Sequence, residues 1–190
     1  MAILVIDTSS SRAALATIDE RRTETFMPAR SPELIPQLRR MAAAHRIDKV
    51  AVAIGPGSFT GLRKGVSFGV GLAMGLRVPI IPLRTLELQA ARSHQPATAV
   101  VEAGRGRFYF RTPDGEQALG APADIPTTHP LVGMLSDSAQ QLLVAAGHVL
   151  APERELTAFS EAAEHLLKTA RELPYESVKL EYMQTFEARL

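Results

Sequence analysis

The chain has 190 residues, 46% of them apolar and 22% charged, with a net charge of +1 and no cysteine. This length allows one large domain or two small ones, with enough apolar residues for a sizeable core. The near-neutral charge is unlike that of a stand-alone nucleic-acid-binding protein. The absence of cysteine excludes disulfides, thiolate catalysis and cysteine-ligated zinc.

The start of the chain bears on its location. Its apolar run is interrupted at Asp7 and has no basic residues before it, so we expect no signal peptide. No stretch reaches about 18 consecutive apolar residues, the length at which a membrane-spanning helix is considered. The sequence therefore predicts a cytoplasmic protein that makes no contact with a membrane.

The N-terminal half alternates short apolar runs with turn residues. Its first three runs predict an antiparallel meander of strands. Ser31 followed by Pro32 is typical of a helix start, with serine as the N-cap and proline at the first helical position. In chain order, the predicted elements are strands Ala2–Ile6, Ala13–Ile18 and Thr23–Met27, a helix to about His45, strand Lys49–Ile54, loop Gly55–Thr60, helix Gly61–Leu76, strand Val78–Ile81 and a helix from Thr85 to about Ser93.

A domain boundary is predicted at His94–Ala97, which divides the chain into residues 1–96 and 97–190. In the second part, Pro113, Asp114 and Gly115 form a hairpin-turn signal. The last stretch, Ser177–Leu190, fits either a strand or a helix and could return to the first lobe. The other predicted elements are strands Thr98–Glu102, Arg107–Arg111 and Leu131–Leu135, a short helix or turn Ala139–Ala146 and a helix from Ser160 that Pro174 ends.

The order of these elements predicts the fold class. Three strands, a helix, a strand and a helix are followed by a second half that also begins with strands, which is typical of a two-lobed α/β protein. The order resembles that of the actin, Hsp70 and sugar-kinase (ASKHA) superfamily, whose lobes are ribonuclease H-like. A likeness of topology implies a fold and carries no function by itself.

Small residues recur on the predicted second helix. Gly61, Gly65, Gly69 and Ala73 follow one another at intervals of four, so they share one helix face. Each glycine inside a helix costs roughly 0.5–1 kcal/mol relative to alanine. We therefore expect something to pack closely against this face, either the chain's own sheet or another protein.

The loop before that helix has two readings. Residues 55–61, Gly-Pro-Gly-Ser-Phe-Thr-Gly, lie between a strand and a helix, where backbone N–H groups can bind an anion. The loop matches neither the Walker A motif nor the dinucleotide fingerprint, and glycine would also serve a tight structural turn. Asp7, Thr8 and Ser9 end the first strand where actin-like ATPases hold a metal and phosphate. A small ATPase or kinase that uses Asp7 and residues 55–61 is therefore the alternative function.

Other catalytic or metal-binding patterns are missing from the sequence. The five histidines include no pair three to five residues apart, the spacing typical of zinc ligands. No Ser/His/Asp arrangement or pair of carboxylates can be read from spacing. Glu102 and the arginines after it fit either a buried ion pair between the lobes or a solvated hairpin. We predict no catalytic residue and no metal site.

Two motifs give the chain a resemblance to a known family. Ile6-Asp7-Thr8-Ser9 and the run Gly-Pro-Gly-Ser-Phe-Thr-Gly-Leu-Arg at residues 55–63 resemble the TsaB (YeaZ) family. Weaker matches lie at residues 31–36, 102–109 and 180–184. The resemblance is strong over residues 1–88 and thin after about Phe110. The chain is shorter than is usual for the family, so we expect a reduced second lobe.

The resemblance implies a function in tRNA modification. Members of the family are non-catalytic dimerisation subunits that bind and activate TsaD, the transferase that makes N6-threonylcarbamoyladenosine at adenosine 37 of tRNAs that read ANN codons. The implied partners are a TsaD-like catalytic paralogue and a TsaE-like ATPase, with tRNA bound only through the complex. No cofactor of its own is implied, although ATP at a subunit interface stays open, as does a homodimer in isolation.

The resemblance also implies an interface. The family pairs through the first two helices of its N-terminal lobe, which correspond to Pro32–His45 and Gly61–Leu76. The glycine row lies on the second helix, and the sequence leaves open which face of that helix meets the partner. The predicted interface residues are Leu34, Leu38, Met41, Ser58, Phe59, Thr60, Gly61, Leu62, Gly65, Gly69 and Ala73. The predicted remnants of a nucleotide loop are Asp7, Thr8, Ser9, Gly55 and Gly57.

Overall fold

The computed structural model describes residues 1–181 and shows two β-sheets with helices packed on them. The strands are β1 (Ala2–Asp7), β2 (Arg12–Ile18), β3 (Arg22–Pro28), β4 (Ile47–Gly55), β5 (Ile80–Arg84), β6 (Thr98–Gly104), β7 (Arg107–Arg111), β8 (Gln117–Gly120) and β9 (Leu131–Val132). The helices are α1 (Leu34–Ala44), α2 (Phe59–Leu76), α3 (Thr85–Ala90), α4 (Asp137–Ala145) and α5 (Phe159–Leu167), with short 3₁₀ turns at Pro122–Asp124, Glu153–Glu155 and Tyr175–Ser177.

The first sheet has the strand order β3-β2-β1-β4-β5. Its first three strands pair antiparallel as the predicted meander, whereas β4 pairs parallel to β1 and to β5. Parallel neighbours require a crossover, and α1 and α2 supply the two crossovers. The central strand β1 is almost entirely apolar because both faces of the sheet are covered.

Alternate residues of the first sheet belong to two separate cores. Leu4 and Ile6 of β1 face the core that includes Leu34, Leu38 and Met41 of α1 and Val66 and Ala73 of α2. Val5 faces the other side, where Phe159 and Ala163 of α5 pack. Thus α1 and α2 lie on one face of the sheet, and their outer sides point away from it.

The second sheet is smaller and has the order β8-β7-β6-β9, with α4 beside it. Helix α3 connects the two sheets, because Leu88 packs in a core of the first sheet and Leu86 in a core of the second. Glu102 of β6 joins them as well. Its carboxylate accepts hydrogen bonds from the Ser136 backbone N–H at 2.7 Å and from the Ser11 hydroxyl at 3.1 Å. Among the described residues, Glu102 therefore links the two sheets through serines and pairs with no arginine.

The described end of the chain returns to the first sheet. Leu173 forms an antiparallel bridge with Ile80, and the Tyr175 hydroxyl donates to the Val78 carbonyl oxygen at 2.8 Å. The Glu181 N–H then donates to the carbonyl oxygen of Ile54 at 2.8 Å. The rest of the last predicted segment, residues 182–190, lies outside the described residues.

Three helix boundaries differ from the sequence predictions. Helix α5 ends at Leu167, so the prediction that it continues until Pro174 is wrong. Helix α1 begins at Leu34, with Glu33 as its N-cap, because the Ser31 hydroxyl accepts the Glu33 N–H at 3.1 Å and forms a separate turn. Helix α2 begins at Phe59, two residues early, because the Ser58 hydroxyl caps it by accepting the Gly61 N–H at 3.3 Å. Among residues 1–181, none of the helices has the length and apolar character needed to cross a lipid bilayer.

Candidate functional site

The turn after β1 and the loop after β4 lie directly against each other. The Ser58 N–H donates to the Ser9 carbonyl oxygen at 2.7 Å, and the Thr8 hydroxyl donates to the Gly61 carbonyl oxygen at 2.7 Å. A Cβ atom at Gly57 would collide with the backbone of Ser9. The structure therefore brings the predicted nucleotide-loop residues together. However, the loop packs on the turn, and the Ser58 N–H is already hydrogen-bonded to that turn.

Gly55, at the start of the loop, lies against the end of the described chain. Its φ of +124° lies in the region that favours glycine, and a Cβ atom there would meet the Glu181 carbonyl oxygen. The loop is therefore held between the turn after β1 and the end of the described chain. This is the tight structural turn that the sequence left open as the second reading of the loop.

Asp7 is fully buried at the end of β1, with 0% of its surface exposed. Burial raises the pKa of its carboxyl above the ordinary value, an effect opposed by the Ser9 hydrogen bonds and by the positive charge of Arg92. Its Oδ1 accepts the Ser9 N–H at 2.8 Å, whereas Oδ2 has no hydrogen-bond partner among the described residues. The carboxylate is thus enclosed by the chain and has no contact with solvent.

Arg92 is a buried cation that the sequence analysis missed. It follows α3 and is 2% exposed. Its guanidinium contacts the Glu153 carboxylate and donates to the Thr157 carbonyl oxygen at 3.4 Å. Thr85 and Gln89, four residues apart on α3, are buried as well. A polar helix face directed into the protein was the available signal, since these three residues are spaced four and three apart.

The glycine row on α2 faces the chain's own sheet. A Cβ atom at Gly61 or Gly65 would collide with Thr8, and one at Gly69 would collide with Val52 of β4. Ala73 is fully buried in the same core. The prediction that this row contacts a partner is therefore wrong, because the small residues let α2 approach β1 and β4.

Other predicted interface residues are also internal. Leu34, Leu38 and Met41 of α1 pack in the core beneath that helix, and Leu62 of α2 is fully buried. These four apolar side chains support the helices on the sheet, so their assignment to a partner surface is wrong. Ser58, Phe59 and Thr60 are exposed at the start of α2 and stay predicted interface residues.

A second row of small residues lies on the opposite side of α2. Ser67, Gly71 and Gly75 are exposed and spaced four apart. Among the described residues, no atom comes within 4 Å of a Cβ built at Gly71 or Gly75. The spacing of this row is visible in the sequence, where it is less prominent than the longer row beginning at Gly61. We call the exposed sides of the two helices the outer helix face, which comprises Ile35, Arg39 and Ala43 of α1 and Phe59, Thr60, Arg63, Ser67, Gly71, Met74 and Gly75 of α2.

Comparison with known proteins finds similarity to proteins of tRNA threonylcarbamoyladenosine biosynthesis. The family model described as "TsaD: tRNA N6-adenosine threonylcarbamoyltransferase" matches residues 38–125. The "tRNA threonylcarbamoyladenosine biosynthesis protein TsaB" of Haemophilus influenzae is 27% identical over 124 residues, which cover 58% of this chain and 52% of the relative. The TsaB protein of Bacillus subtilis is 32% identical over 125 residues, 57% of this chain and 53% of the relative. The chain spans about half the length of the curated relatives it matches.

A solved structure supports the fold over nearly the whole chain. YeaZ from Pseudomonas aeruginosa is 18% identical, covers 96% of this chain and 99% of its own, and superimposes with a TM-score of 0.72. The predicted α/β fold is therefore confirmed, and it is the fold of YeaZ. The loop motif at residues 55–63, the TsaB relatives and this shared fold all point to similarity with the TsaB (YeaZ) family.

Proposed function

We propose that this chain is a non-catalytic subunit of N6-threonylcarbamoyladenosine biosynthesis, which binds and activates a TsaD-type transferase. The chain would act on adenosine 37 of ANN-decoding tRNAs through that transferase. The curated relatives carry the name of this biosynthesis. The observation that carries the partner role is the outer helix face, in particular the row Ser67, Gly71 and Gly75 on α2.

The two glycine rows of α2 have different surroundings. Gly65 and Gly69 have a packing reason within the chain, because a larger side chain would collide with the sheet. Gly71 and Gly75 have no such neighbour among the described residues, and Gly71, which lies in the helix interior, costs roughly 1 kcal/mol relative to alanine. A helix of another protein that packs closely on this row would offset that cost through dispersion contacts.

Exposed apolar side chains support the same surface. Phe59 is 51% exposed and Met74 is 54% exposed, and both lie on the outer side of α2. Ile35 of α1 adds a third apolar side chain at 36% exposure. An apolar patch beside a flat row of small residues suits a protein interface.

The predicted nucleotide loop supports a subunit that does not catalyse. A phosphate bound between residues 55–61 and the turn after β1 would need the space that Gly57 and Ser9 already share. We propose accordingly that the chain acts without a cofactor of its own, in the cytoplasm. By the same proposal it assembles with a TsaE-type ATPase and meets tRNA only in the complex.

The experiment pairs the purified chain with the TsaD-type subunit of the same organism. Light scattering and titration calorimetry should show a complex with the natural chain and none with Gly71→Leu, because leucine would hold the partner helix away. Ala145→Leu, at an exposed position of α4, is the matched control and should bind normally. The proposal is refuted if the natural chain forms no complex, or if the transferase modifies tRNA equally well without it.

A further inference from the structure

The second sheet has a short open edge beyond β9. Residues 149–151 lie beside that strand, where Leu131 and Leu150 form a parallel bridge. The Leu131 N–H donates to the Val149 carbonyl oxygen at 2.8 Å, and the Ala151 N–H donates to the Leu131 carbonyl oxygen at 2.9 Å. This pattern directs the backbone groups of Leu150 away from β9. Among the described residues, neither the N–H nor the carbonyl oxygen of Leu150 forms a hydrogen bond. We call residues 149–151 the open edge.

The open edge is accessible as well as unpaired. Val149 is 70% exposed. Gly147, with a φ of +89°, precedes the edge, and Pro152 follows it. Short length and a neighbouring proline limit how much of an edge another chain can pair with, because unpaired backbone groups otherwise accept a further strand. The edge therefore offers one residue, Leu150, that can exchange a pair of hydrogen bonds with an added strand.

A groove lies between the open edge and α4. It has a volume of about 520 Å³ and is lined by Asp137, Gln140, Gln141, Val144, Ala145 and Leu150. Val144 is 56% exposed and Ala145 is also exposed, so one wall of the groove is apolar. Of these lining residues only Asp137, in the first turn of α4, carries a charge. The groove thus combines an apolar wall, an unpaired sheet edge and a single negative charge.

We infer that this groove binds an extended segment of a partner protein, which adds to the open edge as a further strand of the second sheet. The backbone of the segment pairs with Leu150, alternate apolar side chains lie against Val144 and Ala145, and a lysine or arginine faces Asp137. Strand addition of this kind takes its affinity from backbone hydrogen bonds and its selectivity from alternate side chains. The groove is on the second lobe, so the inference does not depend on the outer helix face or on the proposed function.

An extended segment fits this groove better than a helix or a second copy of the chain. A helix satisfies its own backbone groups, so it would leave those of Leu150 without partners. A second copy would present the same open edge, which ends at Pro152, a residue without an N–H. The Leu150 side chain of that copy would already be packed in the core of its own lobe, so it could not fill the groove.

The test follows a synthetic peptide by NMR on the full chain. The probe is acetyl-Lys-Val-Thr-Val-Thr-Val-amide, and the same peptide with glutamate in place of lysine is the matched control. The lysine peptide should shift the amide signals of Val149 and Leu150 and slow hydrogen exchange at Leu150, because that N–H gains an acceptor. It should bind with a Kd of about 1 mM or tighter. The glutamate peptide should bind at least about threefold more weakly, because its carboxylate meets that of Asp137.

Three variants assign the binding to the groove. Val144→Lys should weaken binding of the lysine peptide by about tenfold or more, because it replaces part of the apolar wall by a cation. Leu142→Lys is the matched control, since Leu142 is an exposed apolar residue of the same helix that does not line the groove, and it should bind as the natural chain does. Asp137→Asn should remove the difference between the lysine and glutamate peptides.

The outcomes decide the inference without reference to the proposed function. Binding that protects Leu150, is lost in Val144→Lys and is kept in Leu142→Lys supports it. The absence of any shift at a peptide concentration of about 5 mM overturns it. Binding that leaves hydrogen exchange at Leu150 unchanged, or that Leu142→Lys weakens equally, also overturns it. Sedimentation of the chain alone completes the test, because a dimer that Val144→Lys dissociates would assign the groove to a second copy instead.

Discussion

Thr8 donates a hydrogen bond of 2.7 Å from its hydroxyl to the carbonyl oxygen of Gly61. The same hydroxyl occupies the position where a side chain on Gly65 would begin. This contact holds the end of β1 against the first turns of α2 and explains why glycine recurs there. The inner glycine row therefore contributes to the stability of the lone chain, whereas the outer row, Ser67, Gly71 and Gly75, is the one that we propose contacts a partner.

The first prediction concerns the inner row. Gly69→Leu should destabilise the chain by about 1–3 kcal/mol or more, because the new side chain would collide with Val52. Urea unfolding followed by circular dichroism measures the change. Gly71→Leu is the matched control on the same helix and should leave the chain folded. Equal stability of Gly69→Leu and the natural chain would show that α2 does not approach β4 closely.

The second prediction concerns the outer row in the absence of a partner. Gly71→Ala should raise the free energy of unfolding by about 0.5–1 kcal/mol, because alanine is the better helix former and nothing described lies within 4 Å of its Cβ. Gly65→Ala should lower the free energy of unfolding, because its Cβ would collide with Thr8. The same unfolding measurement on both variants checks the prediction, which fails if Gly71→Ala is the less stable of the two.

The third prediction concerns the buried carboxyl of Asp7. Because burial raises its pKa in the folded chain, the folded state binds more protons than the unfolded state between the ordinary pKa and the raised one. Stability contributed by Asp7 therefore falls as pH rises through that window. Asp7→Asn removes this titration and keeps an oxygen that can accept the Ser9 N–H.

Asp7→Asn should consequently gain stability relative to the natural chain as pH is raised from about 4 to about 7. Urea unfolding of both proteins at several pH values provides the measurement. A difference in stability that does not vary with pH, or that grows in favour of the natural chain, would contradict the prediction.

The fourth prediction concerns the alternative function. Titration calorimetry of the lone chain with magnesium and ATP should show no binding, because residues 55–61 pack on the turn after β1 where phosphate would enter. Binding that is present in the natural chain and lost in Asp7→Asn would support an actin-like ATPase or kinase instead. A known ATP-binding protein measured in the same buffer serves as the positive control.

Much of the fold was predictable because it depends on local pattern. The meander of β1, β2 and β3 follows from apolar runs separated by turn residues, and each run falls within or next to the observed strand. Pro113, Asp114 and Gly115 correctly predicted the turn between β7 and β8, where Gly115 has a φ of +97°. These patterns extend over only a few residues, so they can be read from the sequence without knowing how the rest of the chain folds.

The site was only partly predictable, and the two glycine rows show why. The sequence by itself determined that α2 carries small residues every four positions and that residues 55–63 resemble the TsaB family. A helix has the same periodicity on every face, so spacing cannot say which row meets the sheet. Only the tertiary structure decided that Gly61, Gly65 and Gly69 lie against Thr8 and Val52, because those contacts join residues distant in the chain. The tertiary structure likewise shows that Gly71 and Gly75 lie on the surface, where no described residue packs against them.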